Sequence, residues 1–173
     1  RIDQPQGLIA GQTVGLVTQN NGVGSTTIST SGSVTSVAGN GLGITNAPSS
    51  TDLTITQVAG QISAQNAGVA ATNNGTGATV VSIAAGVKSI AGLGLSINNS
   101  GASTKGLTIT QSASGIIDSV AGISTGNLGA GETKIETSGI IKASAGAGIG
   151  ASNDSAKVIG LTVTQAGGSI TST

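Results

Sequence analysis

Apolar and polar residues alternate in short bursts along the whole chain. In Leu53-Thr54-Ile55-Thr56 the aliphatic side chains share one side and the threonines the other, as successive side chains of an extended chain do. Leu42 and Ile44 repeat the pattern across Gly43. Runs of three to six such residues, rich in Val, Ile and Thr, are separated by polar clusters such as "NNG", "GNG", "APSS" and "NNSG". Branched Cβ atoms suit a pleated surface, and the clusters carry turn chemistry. Helix is a poor rival. Glycine costs about 1 kcal/mol against alanine inside a helix, and the 30 glycines are spread throughout. The best helical stretch, Gln61–Ala71, is interrupted at Gly68. The pattern predicts an all-β chain of short strands and tight turns.

The bursts themselves repeat. Ser36–Gln57, Ser89–Gln111 and Ser144–Gln165 share an Ala-Gly-x-Gly element, a polar loop, and a closing Leu-Thr-Ile/Val-Thr-Gln. Gly7, Gly60, Gly115 and Gly168 open successive units, and Gly15-Leu16, Gly68-Val69 and Gly122-Ile123 follow. The step is 53 to 55 residues. The chain therefore reads as a lead-in at 1–6, repeats at 7–59, 60–114 and 115–167, and the start of a fourth at 168–173. Such repetition points to an array or fibre. Beginning on Arg1 and stopping inside a unit, the sequence is expected to be a piece of something longer or a processed product. Turn glycines are predicted at Gly22, Gly24, Gly39 and Gly41, at Gly75, Gly77, Gly92 and Gly94, and at Gly129, Gly131, Gly146 and Gly148.

Composition sharpens the picture. Residues 7–59 hold 14 Val, Leu or Ile, few against the entropy of ordering the whole unit. A lone unit is expected to need neighbouring units, other chains, or both. There is no Phe, Trp, Tyr, His, Cys or Met. A thin interior filled by aliphatic layers fits that lack of rings. Six Lys and Arg balance six Asp and Glu. Without a basic stripe or stacking aromatics, nucleic acid is not an expected partner. No run of about 18 apolar residues suggests membrane insertion. Abundant Val, Ile and Leu with little charge speak against disorder.

The candidate chemistry is thin. "GNLGAGET" at Gly126–Thr133 approaches a phosphate-binding loop, but Glu132 stands where a lysine is needed and would repel phosphate. "AGAGIG" at Ala145–Gly150 lacks dinucleotide-binding spacing. Glu132 and Glu136 have no counterparts in the other units, and solvated charge is the simpler reading. No triad is possible without His, and the aspartates stand too far apart for a dedicated calcium loop. Thr54/Thr56, Thr108/Thr110 and Thr162/Thr164 could form an ice-binding array only if stacked on successive coils. On an 18-residue coil the copies would stand about three coils apart, so solvent-facing threonine is favoured. Sequons occur at Asn74, Asn98 and Asn153. No catalytic residue, cofactor, metal or small-molecule substrate is expected.

The pattern Ala-Gly-x-Gly-Leu-x-Ile, a polar loop, then Leu-Thr-Ile-Thr resembles the repeats of trimeric viral fibre shafts and bacteriophage tail fibres. The resemblance implies a fibrous, elongated, intertwined homotrimer of triple β-spiral or β-prism-like form. The axial core would be Leu42, Ile44, Leu53 and Ile55, then Leu95, Ile97, Leu107 and Ile109, then Ile149, Leu161 and Val163, with Ala151 underfilling its layer. The alternative fold is a β-solenoid. The expected function is a non-catalytic fibre-shaft segment supporting host attachment, located in a virion tail or other extracellular assembly. Its partners would be copies of itself and other virion or filament subunits. A secreted bacterial or archaeal filament or adhesin subunit is the alternative, with Gly7–Val17 as the segment available for strand exchange. A surface-binding β-solenoid, ice-binding-like, comes third.

Overall fold

The computed structural model describes residues 1–154 and 159–173, so Lys157 and Ser155 of the Asn153 sequon lie outside it. Every described element is a strand, twenty in all. The first coil carries β1 (Ile2–Gln4), β2 (Leu8–Gly11) and β3 (Leu16–Asn20). Next come β4 (Thr26–Thr30), β5 (Ser33–Ser36) and β6 (Leu42–Asn46). The third coil has β7 (Leu53–Gln57), β8 (Ile62–Ala64) and β9 (Val69–Asn73), and the fourth β10 (Thr79–Ile83), β11 (Gly86–Ser89) and β12 (Leu93–Asn99). The fifth holds β13 (Leu107–Gln111), β14 (Ile116–Ser119) and β15 (Ala121–Asn127). The sixth holds β16 (Thr133–Thr137), β17 (Ile140–Ala143) and β18 (Ile149–Asn153), and β19 (Leu161–Gln165) and β20 (Ser169–Ser172) close the chain.

Each strand pairs in parallel with its counterpart one coil away, giving two seven-stranded sheets and one six-stranded sheet. The fold is a parallel β-solenoid of about six turns. At about 4.8 Å per strand step, those turns rise about 29 Å along the axis. The solenoid alternative is thus the observed architecture, and the company that a lone unit needs comes from the next coils of the same chain.

Three aliphatic columns fill the interior, one behind each sheet. The first face contributes Ile2, Ile28, Ile55, Val81, Ile109, Ile135 and Val163. The second contributes Ile9, Val34, Ile62, Val87, Ile117, Ile141 and Ile170. Leu16, Leu42, Val69, Leu95, Ile123 and Ile149 line the third. Alternate side chains turn outward, so a thin triangular interior is sealed by residues no larger than Leu or Ile.

The spacing of stacked residues corrects the coil length assumed from sequence. Along the first face the steps from Ile2 to Ile28, Ile55, Val81, Ile109, Ile135 and Val163 are 26, 27, 26, 28, 26 and 28 residues. One sequence repeat is therefore two coils, not three coils of 18. Alternate coils differ in kind. The strands β4, β10 and β16 open on Thr26, Thr79 and Thr133, where β7, β13 and β19 open on Leu53, Leu107 and Leu161. The alternation of short and long steps lies in the connections from the third face to the first: 21–25, 74–78 and 128–132 are shorter than 47–52, 100–106 and 154–160.

Candidate functional surface

An inward polar column holds the corner between the third and first faces. Asn20, Asn46, Asn73, Asn99, Asn127 and Asn153 stack in register, one per coil. In alternate coils the asparagine clamps its own turn. Asn20 Oδ1 accepts from Gly22 N–H at 2.9 Å while its Nδ2 donates to Gly24 C=O at 2.8 Å. Asn73 repeats this with Gly75 and Gly77 at 3.0 and 3.4 Å, and Asn127 with Gly129 and Gly131 at 3.0 and 2.9 Å. In the intervening coils a threonine hydroxyl reaches the asparagine instead: Thr26 to Asn46 and Thr133 to Asn153, both 2.6 Å, and Thr79 to Asn99. A buried amide costs free energy unless its donors and acceptors are met, and here the local turn meets most of them.

A glycine column occupies the corner between the second and third faces. Gly15, Gly41, Gly68 and Gly94 each stand where an added Cβ would meet the carbonyl oxygen of the next glycine of the column, at 2.7, 2.6, 2.7 and 2.8 Å. Gly122 continues the contact toward Gly148. On the inner side, Val34, Ile62, Val87, Ile117, Ile141 and Ile170 close onto these glycines. Here glycine answers a close approach of stacked backbones, since none of these positions has positive φ. Positive φ occurs only at Gly7, Gly60 and Gly168 among the described residues, at the start of the sequence repeats.

The predicted axial residues are found inside one chain's coils. Leu42, Ile44, Leu53, Ile55, Leu95, Ile97, Leu107 and Ile109 are buried there, Ile149 is half-buried, and Ala151 packs against the same core. Leu161 and Val163 sit on the final described coil and are 45% and 48% exposed. Of the predicted turn glycines, Gly94 lies within β12, while the other eleven lie in bends. "GNLGAGET" is strand, turn and strand, with Gly126 and Asn127 in β15 and Thr133 opening β16. "AGAGIG" leads through a bend into β18. Gly7–Val17 spans β2 and the start of β3, which pair with β5 and β6.

Among the described residues there is no pocket and no cluster of three potential metal ligands. Among the same described residues no helix is long and apolar enough to cross a membrane. The candidate functional element is therefore the outer surface, three parallel ladders with different chemistry. The first face stacks Thr27, Thr54, Val80, Thr108, Lys134 and Thr162 in one row, and Asp3, Ser29, Thr56, Ser82, Thr110, Glu136 and Thr164 in the other. The Thr-x-Thr copies are two coils apart, and the intervening coils supply Thr27 and Ser29, Val80 and Ser82, and Lys134 and Glu136. Lys134 Nζ lies 2.9 Å from Glu136 Oε1. That hydrogen bond, and then the carboxylate's charge, hold Lys134 above the usual lysine value of 10.5. On the second face Lys88, Asp118 and Lys142 alternate in sign on adjacent strands. The outward rows of the third face, Val17, Gly43, Ala70, Ser96, Ser124 and Gly150 with Gln19, Thr45, Thr72, Asn98, Gly126 and Ser152, carry no charge.

No family model, curated protein or solved structure matches the chain.

Sequence reasoning missed the asparagine column. Its signal was the recurrence of Asn at the coil step, from Asn20 to Asn46, Asn73, Asn99, Asn127 and Asn153. In most coils a second polar residue follows, as in "NNG" and "NNS", and the doublet reads as an ordinary surface turn.

Proposed function

We propose that the chain is a non-catalytic, rod-forming segment of an extracellular fibre, of the kind that holds a receptor-binding tip away from a virus particle. The observation that carries this reading is the in-register stacking of about six coils on the same three sheets. Such a ladder transmits load along the axis through rows of parallel backbone hydrogen bonds, while the aliphatic columns resist bending. Side chains that are oxidised easily are missing, which suits exposure outside a cell. Copies of the chain, three by the resemblance, would associate through their outer faces and with other subunits of the fibre.

Sedimentation velocity and electron microscopy of the whole chain test the reading. The expected particles have the mass of three chains. Compact particles with the mass of one chain would overturn it. Open-ended polymers would favour a filament subunit instead. A rigid monomeric rod would leave the surface-binding reading, which the registered hydroxyl rows of the first face support; adsorption to ice or a crystalline polysaccharide would then be measured.

A further inference from the structure

A second inward polar column runs at the corner between the first and second faces. Gln4, Thr30, Gln57, Ile83, Gln111, Thr137 and Gln165 stack in register. The glutamine amides are oriented by their donors. Gln57 Nε2 donates to the carbonyls of Gly60 and Gly86, both at 2.9 Å. Gln111 Nε2 donates to Gly115 and Ile140 at 3.0 and 3.1 Å, and Gln4 Nε2 to Gly7 and Ser33 at 3.3 and 3.2 Å. Both protons of each amide are committed, and a flipped amide would set its oxygen against two carbonyl oxygens.

The other end of each amide has no donor. The Oε1 atoms of Gln4, Gln57 and Gln111 are buried and unpaired, and so are the hydroxyls of Thr30 and Thr137. Gln57 and Gln111 are 1% exposed, as is Thr30, and Thr137 is 0% exposed. Thr30 is in register with Gln57, and Thr137 with Gln111. Orphaned groups of complementary kind thus sit on adjacent strands whose backbones are about 4.8 Å apart, and no hydrogen bond joins them directly. A direct O–H···O bond requires about 2.5–3.0 Å. A water about 2.8 Å from each of two groups spans about 4.6 Å at its tetrahedral angle.

We propose that this column holds ordered internal water: one molecule between Thr30 and Gln57, and one between Gln111 and Thr137. Each water accepts from the threonine hydroxyl and donates to the glutamine Oε1. Thr30 also faces Gln4 across the preceding step, where a water donating to both the Thr30 hydroxyl oxygen and Gln4 Oε1 completes the set. Ile83 lies between Gln57 and Gln111 and divides the column into two separate sites. Buried water of this kind is part of a fold and exchanges slowly.

A high-resolution crystal structure of the whole chain is the first test, with water relaxation dispersion in solution to count long-lived molecules. The expected result is isolated density within hydrogen-bond reach of Thr30 Oγ1 and Gln57 Oε1, and again at Gln111 and Thr137. Thr30→Val should lose the first site and keep the second. Thr137→Val should do the reverse, and Ile83→Thr should raise the count of long-lived waters. Direct threonine–glutamine bonds, empty density, or an unchanged count in Thr30→Val/Thr137→Val would overturn the proposal. So would rubidium's anomalous signal at these positions after a soak, since that would assign them to a monovalent cation. The wild-type density decides the matter alone if the variants do not fold.

Discussion

Thr26 opens β4 and donates its hydroxyl to Asn46 Oδ1, 2.6 Å away at the end of β6, so one coil is tied to itself across 20 residues. Thr26→Val keeps the shape and removes the donor, leaving a buried amide oxygen short of a partner. The expected loss is about 1–3 kcal/mol in urea unfolding. Thr27→Val, on the outward row, should stay within about 0.5 kcal/mol of the parent. Equal effects of the two variants would contradict the closure.

Space, not dihedral freedom, explains most of the stacked glycines. Gly68→Ala would press its Cβ against Val87 Cγ1 and set it about 2.7 Å from the Gly94 carbonyl oxygen, so that both a core side chain and a stacked backbone would have to yield. Overpacking of this kind costs about 1–3 kcal/mol. Gly24→Ala has nothing within 4 Å and should be silent to within about 0.5 kcal/mol. Paired thermal melts of the two variants give the comparison.

Core truncation should depend on the coil. Leu107 is fully buried between Thr79 and Thr133, and Leu107→Ala is expected to cost about 2–5 kcal/mol. The matching change on the final coil, Leu161→Ala, starts from a side chain 45% exposed and should cost less than half as much. Chemical denaturation of both variants checks the ratio.

The chain has three Asn-Gly pairs, Asn21-Gly22, Asn40-Gly41 and Asn74-Gly75, the dipeptide most prone to deamidation. That reaction needs the glycine nitrogen to attack the asparagine side-chain carbonyl. All three nitrogens are committed: Gly22 to Asn20 Oδ1 at 2.9 Å, Gly41 to Ala67 C=O at 3.0 Å, and Gly75 to Asn73 Oδ1 at 3.0 Å. One hydrogen bond of about 0.5–1.5 kcal/mol slows attack by about 2- to 13-fold, before any cost of distorting the turn. Peptide mapping after incubation at mildly alkaline pH should show slower loss at all three sites in the folded chain than in urea. Asn73→Ala should release Asn74 alone.

Lys134 gives the direction of one pH effect. Its folded pKa is raised above 10.5 by the hydrogen bond and charge of Glu136, so the associated stabilisation is complete below 10.5 and is lost as pH rises through the folded value. Wild type should melt slightly above Glu136→Gln at neutral pH, and the two should converge in strong alkali. A gap that widens with alkalinity would refute the assignment.

Much of the fold is legible in the sequence. Period two in Leu53–Thr56 gives strands, and eight of the predicted core residues, from Leu42 to Ile109, are buried. The half-period is hidden because alternate coils trade residues of unlike chemistry at equivalent positions. Thr26 stands over Leu53, and Thr30 over Gln57. A reading tuned to identity therefore locks onto every second coil and takes 53 to 55 residues as the unit. The inward direction of Asn46 and Asn73 was concealed for a related reason. Asn46 leads into Ala47-Pro48 and Asn73 into Asn74-Gly75, both turn signals, and only the stacking of coils shows that the asparagine side chain is what the interior encloses.

The two kinds of coil make the rod a ladder whose true axial period is twice the strand spacing, about 9.6 Å against about 4.8 Å. Excising a single coil such as β10–β12 would bring like against like, Leu53 upon Leu107 and Gln57 upon Gln111, and unsettle the interior at the cut. Removal or duplication of a pair keeps the two kinds of coil in alternation. Length in such a rod is inherited in doublets.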